Sequence, residues 1–286
     1  GLVNNHYLAF SGGTSQSNYR ASFGLMDHNT IIKKMDYGVF VAKVDVTQKA
    51  FNNRLTGEFG VFGSSFKNHD IFDTQMLFYS AACQNPTFPA GTDEHGNWLK
   101  NESATHINPP GIVLEEKNDS KDLNFDAHIK LSYDINTDWR VSGSTENGQF
   151  CPTLVWAQGN VYRGEFKKEE WLGNVSLDFN KQFGSHKVSA GVSGEYRKLR
   201  KTAFWVYAKG IPTNNFHYDN PRAAAVRPYG RTESTYEDQS LASLMGSITY
   251  SLLDRYTLAL NARGDGSSMV GASNTWGFFP SISFTW

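Results

Sequence analysis

The sequence predicts an all-β protein whose strands form an antiparallel transmembrane β-barrel, and three observations support this prediction. Apolar and polar residues alternate with a period of two along many segments. The connections between those segments alternate between short and long. Aromatic residues stand near the ends of the segments. Together the three patterns favour strands that cross a membrane over the strands of a soluble sandwich.

Composition limits the class of protein. The chain has 286 residues, with Lys+Arg 27 against Asp+Glu 28, and this near neutrality argues against a dedicated nucleic-acid binder. No segment approaches the roughly 18 consecutive apolar residues of a membrane-spanning helix. A hydrophobic content of 39% suits a barrel, because a barrel strand turns only every second residue toward lipid. The two cysteines, Cys83 and Cys151, do not make a disulfide framework, and the sequence leaves open whether they are bonded to each other.

The period of two is clearest in residues 186–197. Val188, Val192 and Tyr196 lie on one face of this segment, and Ser193 and Arg197 lie on the other. Most such segments are close to or longer than the roughly 9–11 residues that a tilted strand needs to cross a bilayer. The pattern predicts eleven strands, at 6–13, 18–28, 37–48, 54–66, 122–134, 138–147, 167–182, 186–202, 238–252, 255–264 and 276–286.

The connections predict which end of the barrel is which. Short turns are expected at 14–17, 51–53, 135–137, 183–185 and 253–254, and longer loops at 29–36, 67–121, 148–166, 203–237 and 265–275. In outer-membrane barrels the short turns are periplasmic and the long loops extracellular. Within the longest loop, residues 72–82 predict a short helix that braces the loop or faces a partner. Residues 265–268 predict a tight turn at a strand exit.

Side-chain chemistry agrees with a wall between lipid and water. Aromatic residues at strand ends suit the two membrane interfaces, and these are Tyr37, Trp139, Trp171, Tyr250, Tyr256, Trp276 and Trp286. Polar residues expected to face the lumen are Glu58, Asp126, Lys130, Asp178, Glu195 and Arg197. Bacterial single-chain barrels close with even strand numbers, so eleven strands predict one part of a larger barrel.

Aromatic residues in the long loops are the best candidates for ligand contact, because rings stack on the apolar faces of sugars. We assign substrate binding to Trp98, Trp156, Trp205 and Tyr207, with Tyr162, Phe216 and Tyr218 as further loop aromatics. The other interpretation is that these rings pack the loops or meet a partner protein. Adjacent acids such as Glu169 and Glu170 point to opposite faces of a strand, so no catalytic pair is predicted. Neither a metal site nor a cofactor is expected.

Several segments resemble the SusC/RagA family of TonB-dependent outer-membrane transporters, and they follow the family's order along nearly the whole chain. The segments are 6–14, 18–24, 85–89, 93–98, 256–258, 263–268 and 276–283. The resemblance implies a barrel of about 22 strands with a plug domain. It further implies import of oligosaccharides or peptides with a SusD-like surface lipoprotein as lid, and energy supplied by TonB through the plug.

The sequence therefore predicts that residues 1–286 form a TonB-dependent receptor β-barrel domain, as a fragment without the plug and the remaining strands, in the bacterial outer membrane. We expect a carrier and binder rather than an enzyme. A soluble all-β carbohydrate-active enzyme or carbohydrate-binding module is the alternative from another class. A passive porin or adhesion barrel is a third possibility, and the presence or absence of a plug domain would distinguish it.

Overall fold

A computed structural model describes residues 1–71, 74–89, 91–95, 98–99, 113, 117–157, 160–211, 220–271 and 275–286. In these residues eleven strands form one antiparallel sheet, and each strand pairs with its neighbour in sequence. The strands are β1 (Leu2–Gly13), β2 (Ser17–Asn29), β3 (Asp36–Ala50), β4 (Leu55–Asp70), β5 (Lys117–Asp134), β6 (Trp139–Ala157), β7 (Asn160–Phe183), β8 (His186–Lys209), β9 (Thr232–Leu252), β10 (Tyr256–Ser267) and β11 (Trp276–Thr285). The eleven predicted strands are confirmed.

The sheet has one apolar and one polar face along most of its length. Residues directly opposite each other on paired strands share a face, and Val192 lies opposite Leu177 on β7 and Gly246 on β9. We call the face that carries Val192 the apolar face, and the face that carries Ser193 the polar face. Large apolar side chains stand exposed on the apolar face, among them Phe125, Ile129, Leu131, Trp171, Val175, Val192, Tyr196, Leu244, Ile248 and Ile282. In water this exposed surface would be costly, whereas lipid solvates it.

Charged side chains within the sheet pair with one another on the polar face. Lys130 lies 3.5 Å from Glu58 on the neighbouring strand. The Nε atom of Arg263 donates to Asp265 at 2.8 Å, and a second guanidinium nitrogen donates to Ser243 at 3.1 Å. All six polar residues that the sequence assigned to the lumen lie on this face by their register. The polar face is therefore the side that meets water or a plug.

Aromatic side chains cluster where strands meet the short turns. Trp139 packs on Phe179 with ring centroids 4.7 Å apart. His186 stacks on Phe183 at 5.5 Å, and its Nδ1 atom lies 2.6 Å from the hydroxyl of Tyr250. These rings lie on the apolar face, as an interfacial girdle requires.

Tyr37 differs from the girdle position that the sequence suggested for it. By register it lies on the polar face of β3, opposite His28, and its ring meets that of His28 edge-on at 4.7 Å. The strand continues to Asp36 beyond it, so nearness to a strand end does not fix the face.

Strand lengths differ most from prediction between residues 148 and 237. The segments 148–166 and 203–237 are not long loops throughout, because β6 continues to Ala157, β7 begins at Asn160, β8 continues to Lys209 and β9 begins at Thr232. Residues 265–267 are likewise strand rather than turn. Beyond the membrane both faces of a strand meet water, so the alternation that marks a strand is lost although the ladder continues.

The predicted helix in the longest loop is confirmed as α1 (Thr74–Cys83). Leu77 of α1 is 5% exposed and Ile71 is 4% exposed, and the two form a small core against which Ile32 and Met35 of the β2–β3 connection pack. The helix therefore ties two extracellular connections together. Cys83 is an exposed free thiol, whereas the side chain of Cys151 lies outside the described part. No helix in the described residues has the length and apolar character needed to cross a membrane.

Candidate ligand-binding site

Strands β6–β9 extend past the apolar band. On the apolar face of β7, Trp171 is the last large apolar residue of the band, and Glu169, Lys167 and Glu165 follow at alternate positions. Tyr207 lies opposite Tyr162, nine residues beyond Trp171. At about 3.4 Å per residue, this distance is roughly 30 Å along the strand. The sheet thus forms a tall extracellular extension of the wall.

Aromatic residues form a row across the polar face of this extension. Trp156 on β6 lies directly opposite Tyr162 on β7, and Tyr162 lies directly opposite Tyr207 on β8. Trp205 is two residues from Tyr207 on the same strand and therefore shares its face. For Trp156 the backbone register is described and the side chain is not. We call Trp156, Tyr162, Trp205 and Tyr207 the aromatic row.

Gly164 gives the aromatic row its shape. It lies opposite both Leu154 and Trp205, on the polar face. A Cβ atom at Gly164 would be 3.5 Å from Cε1 of Tyr162 and 3.5 Å from Cβ of Trp205. The ring of Tyr162 therefore leans over the glycine toward Trp205, and a larger side chain would displace it.

Two cations flank the Tyr207 ring. The Nζ atom of Lys209 lies 5.7 Å from the ring centroid, and the guanidinium carbon of Arg231 also lies 5.7 Å from it. In the described part of the chain, no carboxylate oxygen lies within 4 Å of the charged nitrogens of Lys209 or Arg231, so neither cation forms an ion pair there. An aromatic surface next to two cations without acidic partners can hold a ligand that has both an apolar face and an anionic group.

The backbone around the aromatic row is held on both sides. The amide of Tyr207 donates to the carbonyl of Arg231 at 3.1 Å, and Lys209 and Val226 exchange two backbone hydrogen bonds of 2.8 and 3.0 Å. On the opposite face, Val161 and Ala208 lie opposite each other and are fully buried. The row therefore stands on a fixed scaffold rather than on a loose loop.

Ion pairs continue below and beside the row. On the polar face, Arg197 bonds Glu170 at 2.5 Å, and Lys168 lies 2.9 Å from the same carboxylate. On the other face of the extension, the Tyr236 hydroxyl donates to Asp238 at 3.0 Å, with the Arg200 guanidinium 3.3 Å away. The Tyr236 hydrogen bond, followed by that of Arg200, lowers the pKa of Asp238, so this carboxylate stays ionised.

Three of the four assigned residues lie on neighbouring strands in matching register. Trp205 and Tyr207 share one face with Tyr162, and the backbone of Trp156 lies opposite Tyr162 in the register. Trp98 is in the β4–β5 connection, where its backbone forms an isolated antiparallel β-bridge with Thr92. Phe216 and Tyr218 lie outside the described residues. The sequence did not identify Lys209 and Arg231 as site residues, because they form no motif with each other or with Tyr207 along the chain.

Sequence relatives are receptors of one kind. The chain is 26% identical to the TonB-dependent receptor SusC of Bacteroides thetaiotaomicron, over 98% of the chain and 30% of that receptor. It is 26% identical to the TonB-dependent receptor P3 of Formosa agariphila, over 100% of the chain and 30% of that receptor. The chain thus spans about 30% of the length of these curated relatives. No family model matches.

Solved structures show the same fold. A structure of the RagAB peptide transporter matches with a TM-score of 0.79 at 13% identity, over 98% of this chain and 33% of that chain. The unliganded ferric citrate transporter FecA matches with a TM-score of 0.60 at 7% identity, over 99% of this chain and 38% of that chain. The predictions of a partial outer-membrane barrel and of a resemblance to the SusC/RagA family are confirmed. The two sequence relatives are TonB-dependent receptors, and the two solved structures that share the fold are transporters.

Proposed function

We propose that this chain, a partial barrel of the SusC/RagA type, forms wall and extracellular rim of a TonB-dependent transporter that imports oligosaccharides or peptides. TonB acts through a plug domain that lies outside residues 1–286, and a SusD-like surface lipoprotein delivers the substrate. The 26% identity to SusC supports the kind of transporter. The aromatic row supports the proposal that substrate contacts this part of the wall.

The aromatic row is the observation on which the binding role depends. Adjacent strands are about 4.8 Å apart, so residues that lie directly opposite on three strands make one continuous surface. The surface points to the polar side of the wall, where substrate passes. Rings on a fixed sheet lose little side-chain entropy on binding, and each can stack on a sugar ring or on an apolar peptide side chain.

The chemistry of the row favours oligosaccharides as the imported class. A continuous flat surface matches the flat faces of successive sugar units, while Lys209 and Arg231 beside Tyr207 can bond hydroxyl or acidic groups of the sugar. A peptide would use the same surface through its aromatic and carboxylate groups. Binding measurements with both classes separate the two.

Helix α1 supports a contact with the lipoprotein. Leu77 points into the small loop core, whereas Phe78 is 56% exposed. The helix therefore has one side that braces the loop and an apolar residue on its surface. An exposed Phe on an extracellular helix suits the apolar core of a protein interface.

The test uses the intact transporter that contains this chain, reconstituted in detergent and assayed for substrate binding. The variant Tyr162→Ala/Tyr207→Ala is expected to bind the substrate at least tenfold more weakly, since each aromatic stack contributes about 1 kcal/mol or more. Phe204→Ala is the control, because Phe204 neighbours Trp205 on the same strand but lies on the opposite face and is exposed. Equal affinity in the double variant would contradict the binding role.

Energy coupling separates a transporter from a passive porin. In cells that lack TonB, uptake by the intact protein is expected to stop while substrate binding at the surface remains. Uptake that persists without TonB would contradict the proposed transporter and support a passive barrel.

A further inference from the structure

Two lysines face each other on the outward side of the barrel wall. Lys67 on β4 lies directly opposite Lys121 on β5, and both belong to the apolar face by register. Directly opposite residues have Cβ atoms about 4.5–5.5 Å apart, and like charges at such positions are unfavourable. Both side chains are exposed. An anion bound between the two ammonium groups would offset the repulsion.

The height of Lys67 and Lys121 on the barrel wall shows which layer of the membrane surrounds them. Below Lys121, the alternate residues of β5 are apolar from Leu123 to Tyr133, and Leu123 and Phe125 are 44% and 47% exposed. These eleven residues rise about 34 Å along the strand. At a tilt of about 40°, they cover roughly 26 Å of height, which matches the apolar band of an outer-membrane barrel. Lys67 and Lys121 therefore stand at the level of the outer-leaflet headgroups.

Nearby acids do not neutralise the pair. Asp119 is the next outward residue on β5, but its carboxylate lies 2.6 Å from Nδ1 of His69. Asp36 lies opposite His69, 4.0 Å from its other ring nitrogen. Across the described residues, no carboxylate lies within 4 Å of the ammonium group of Lys67 or Lys121. Other outward cations at this level differ, since Lys198 and Arg200 share Asp238.

We propose that Lys67 and Lys121 together bind a phosphate group of an anionic glycolipid in the outer leaflet, with Leu123 and Phe125 against its acyl chains. The phosphate lies between the two ammonium groups and offsets their repulsion, while the apolar residues below contact hydrocarbon. The site is separate from the substrate site on the polar face. It depends on the apolar face being in the membrane and not on which substrate is transported.

The test measures lipid retention by the intact outer-membrane protein. The protein is purified in neutral detergent, mixed with lipid A that carries two phosphates, and examined by native mass spectrometry. Each lysine near an anionic surface contributes enough to change affinity about fivefold, so Lys67→Gln/Lys121→Gln is expected to bind about 25-fold more weakly. Lys33→Gln/Lys49→Gln removes the same charge from a loop and from the polar face, and is expected to bind like the unaltered protein.

A second variant separates lipid binding from folding. Lys121→Glu converts the repulsion into an ion pair with Lys67, so the sheet remains folded while the phosphate site is lost. In detergent without lipid, this variant is expected to unfold at the same temperature as the unaltered protein or higher. Equal lipid A retention in Lys121→Glu and in the unaltered protein would overturn the proposal. Binding of inorganic phosphate alone that is as strong as the binding of lipid A would also overturn the proposal, since it would indicate a site for free anions.

Discussion

Tyr162 and Tyr207 lie directly opposite each other on β7 and β8, on the polar face and about nine residues beyond the last apolar residue of the wall. Cross-strand pairing puts both residues on one surface. The hydrogen bond from the backbone amide of Tyr207 to the carbonyl of Arg231 fixes the far end of that surface. The aromatic surface is therefore built by strand register and not by loop conformation.

Gly164 provides a test of that surface that removes no aromatic residue. In Gly164→Leu the new side chain has to displace the Tyr162 ring, because even a Cβ atom would lie 3.5 Å from it. We expect substrate affinity to fall about tenfold, as for loss of one aromatic stack. Gly164→Ala makes an ordinary contact and is expected to bind normally. Isothermal titration with both variants checks the prediction, and equal effects of Ala and Leu would contradict it.

Lys209 and Arg231 predict a preference for anionic ligands. With Lys209→Gln/Arg231→Gln, affinity for an acidic oligosaccharide is expected to fall several-fold, while affinity for its neutral counterpart changes little. The difference between the two ligands should shrink as salt is raised from 50 mM to 500 mM, because salt screens exposed charges. Affinities at the two salt concentrations check this. A double variant that loses both ligands equally would indicate a structural role for the cations.

Leu77 is expected to control the order of helix α1. Leu77→Ala leaves a cavity in the small core with Ile71, at a cost of about 2–4 kcal/mol to the local packing. Hydrogen exchange across residues 74–83 should therefore be faster, and trypsin should cut this connection sooner. Phe78→Ala is the matched control, because Phe78 is exposed and its loss leaves the core intact. Similar exchange rates in the two variants would show that the helix is held by other contacts.

Val192 and Ser193 are neighbours on opposite faces of β8, and they predict opposite responses to charge. Val192→Arg puts a guanidinium against hydrocarbon and is expected to destabilise the barrel by about 2–4 kcal/mol. Ser193→Arg puts the same group on the polar face and is expected to cost less than 1 kcal/mol. Urea unfolding of the intact protein in lipid vesicles measures both. Equal destabilisation would mean that the two faces meet the same solvent.

The period-two pattern predicted the strand number and the faces because the membrane enforces it. Between Val188 and Tyr196 one side of the strand meets lipid and the other meets water, so the side chains differ in kind. From Lys198 onward the residues Lys198, Leu199, Arg200 and Lys201 no longer alternate, because both faces meet water outside the membrane. The sequence pattern therefore predicts a loop in a region where the pairing of the strands continues.

The candidate site could be predicted only as a set of residue types. Trp156, Trp205 and Tyr207 were identifiable as aromatics suited to ligands, but their alignment depends on the register of β6, β7 and β8. The approach of Arg231 to Tyr207 depends on how the β8–β9 connection returns to the sheet. Neither property follows from local sequence, because both are set by pairing between distant residues.

Spin labelling along residues 188–197 tests most directly whether one face of the wall lies in lipid and the other in water. Cys83 and Cys151 are replaced by serine, single cysteines are introduced and labelled in the intact protein, and collision with oxygen and with a water-soluble nickel complex is measured in vesicles. We expect oxygen maxima at 188, 190, 192, 194 and 196, and nickel maxima at the residues between them. The same accessibility on both faces, or a helical period, would contradict a wall with one side in lipid.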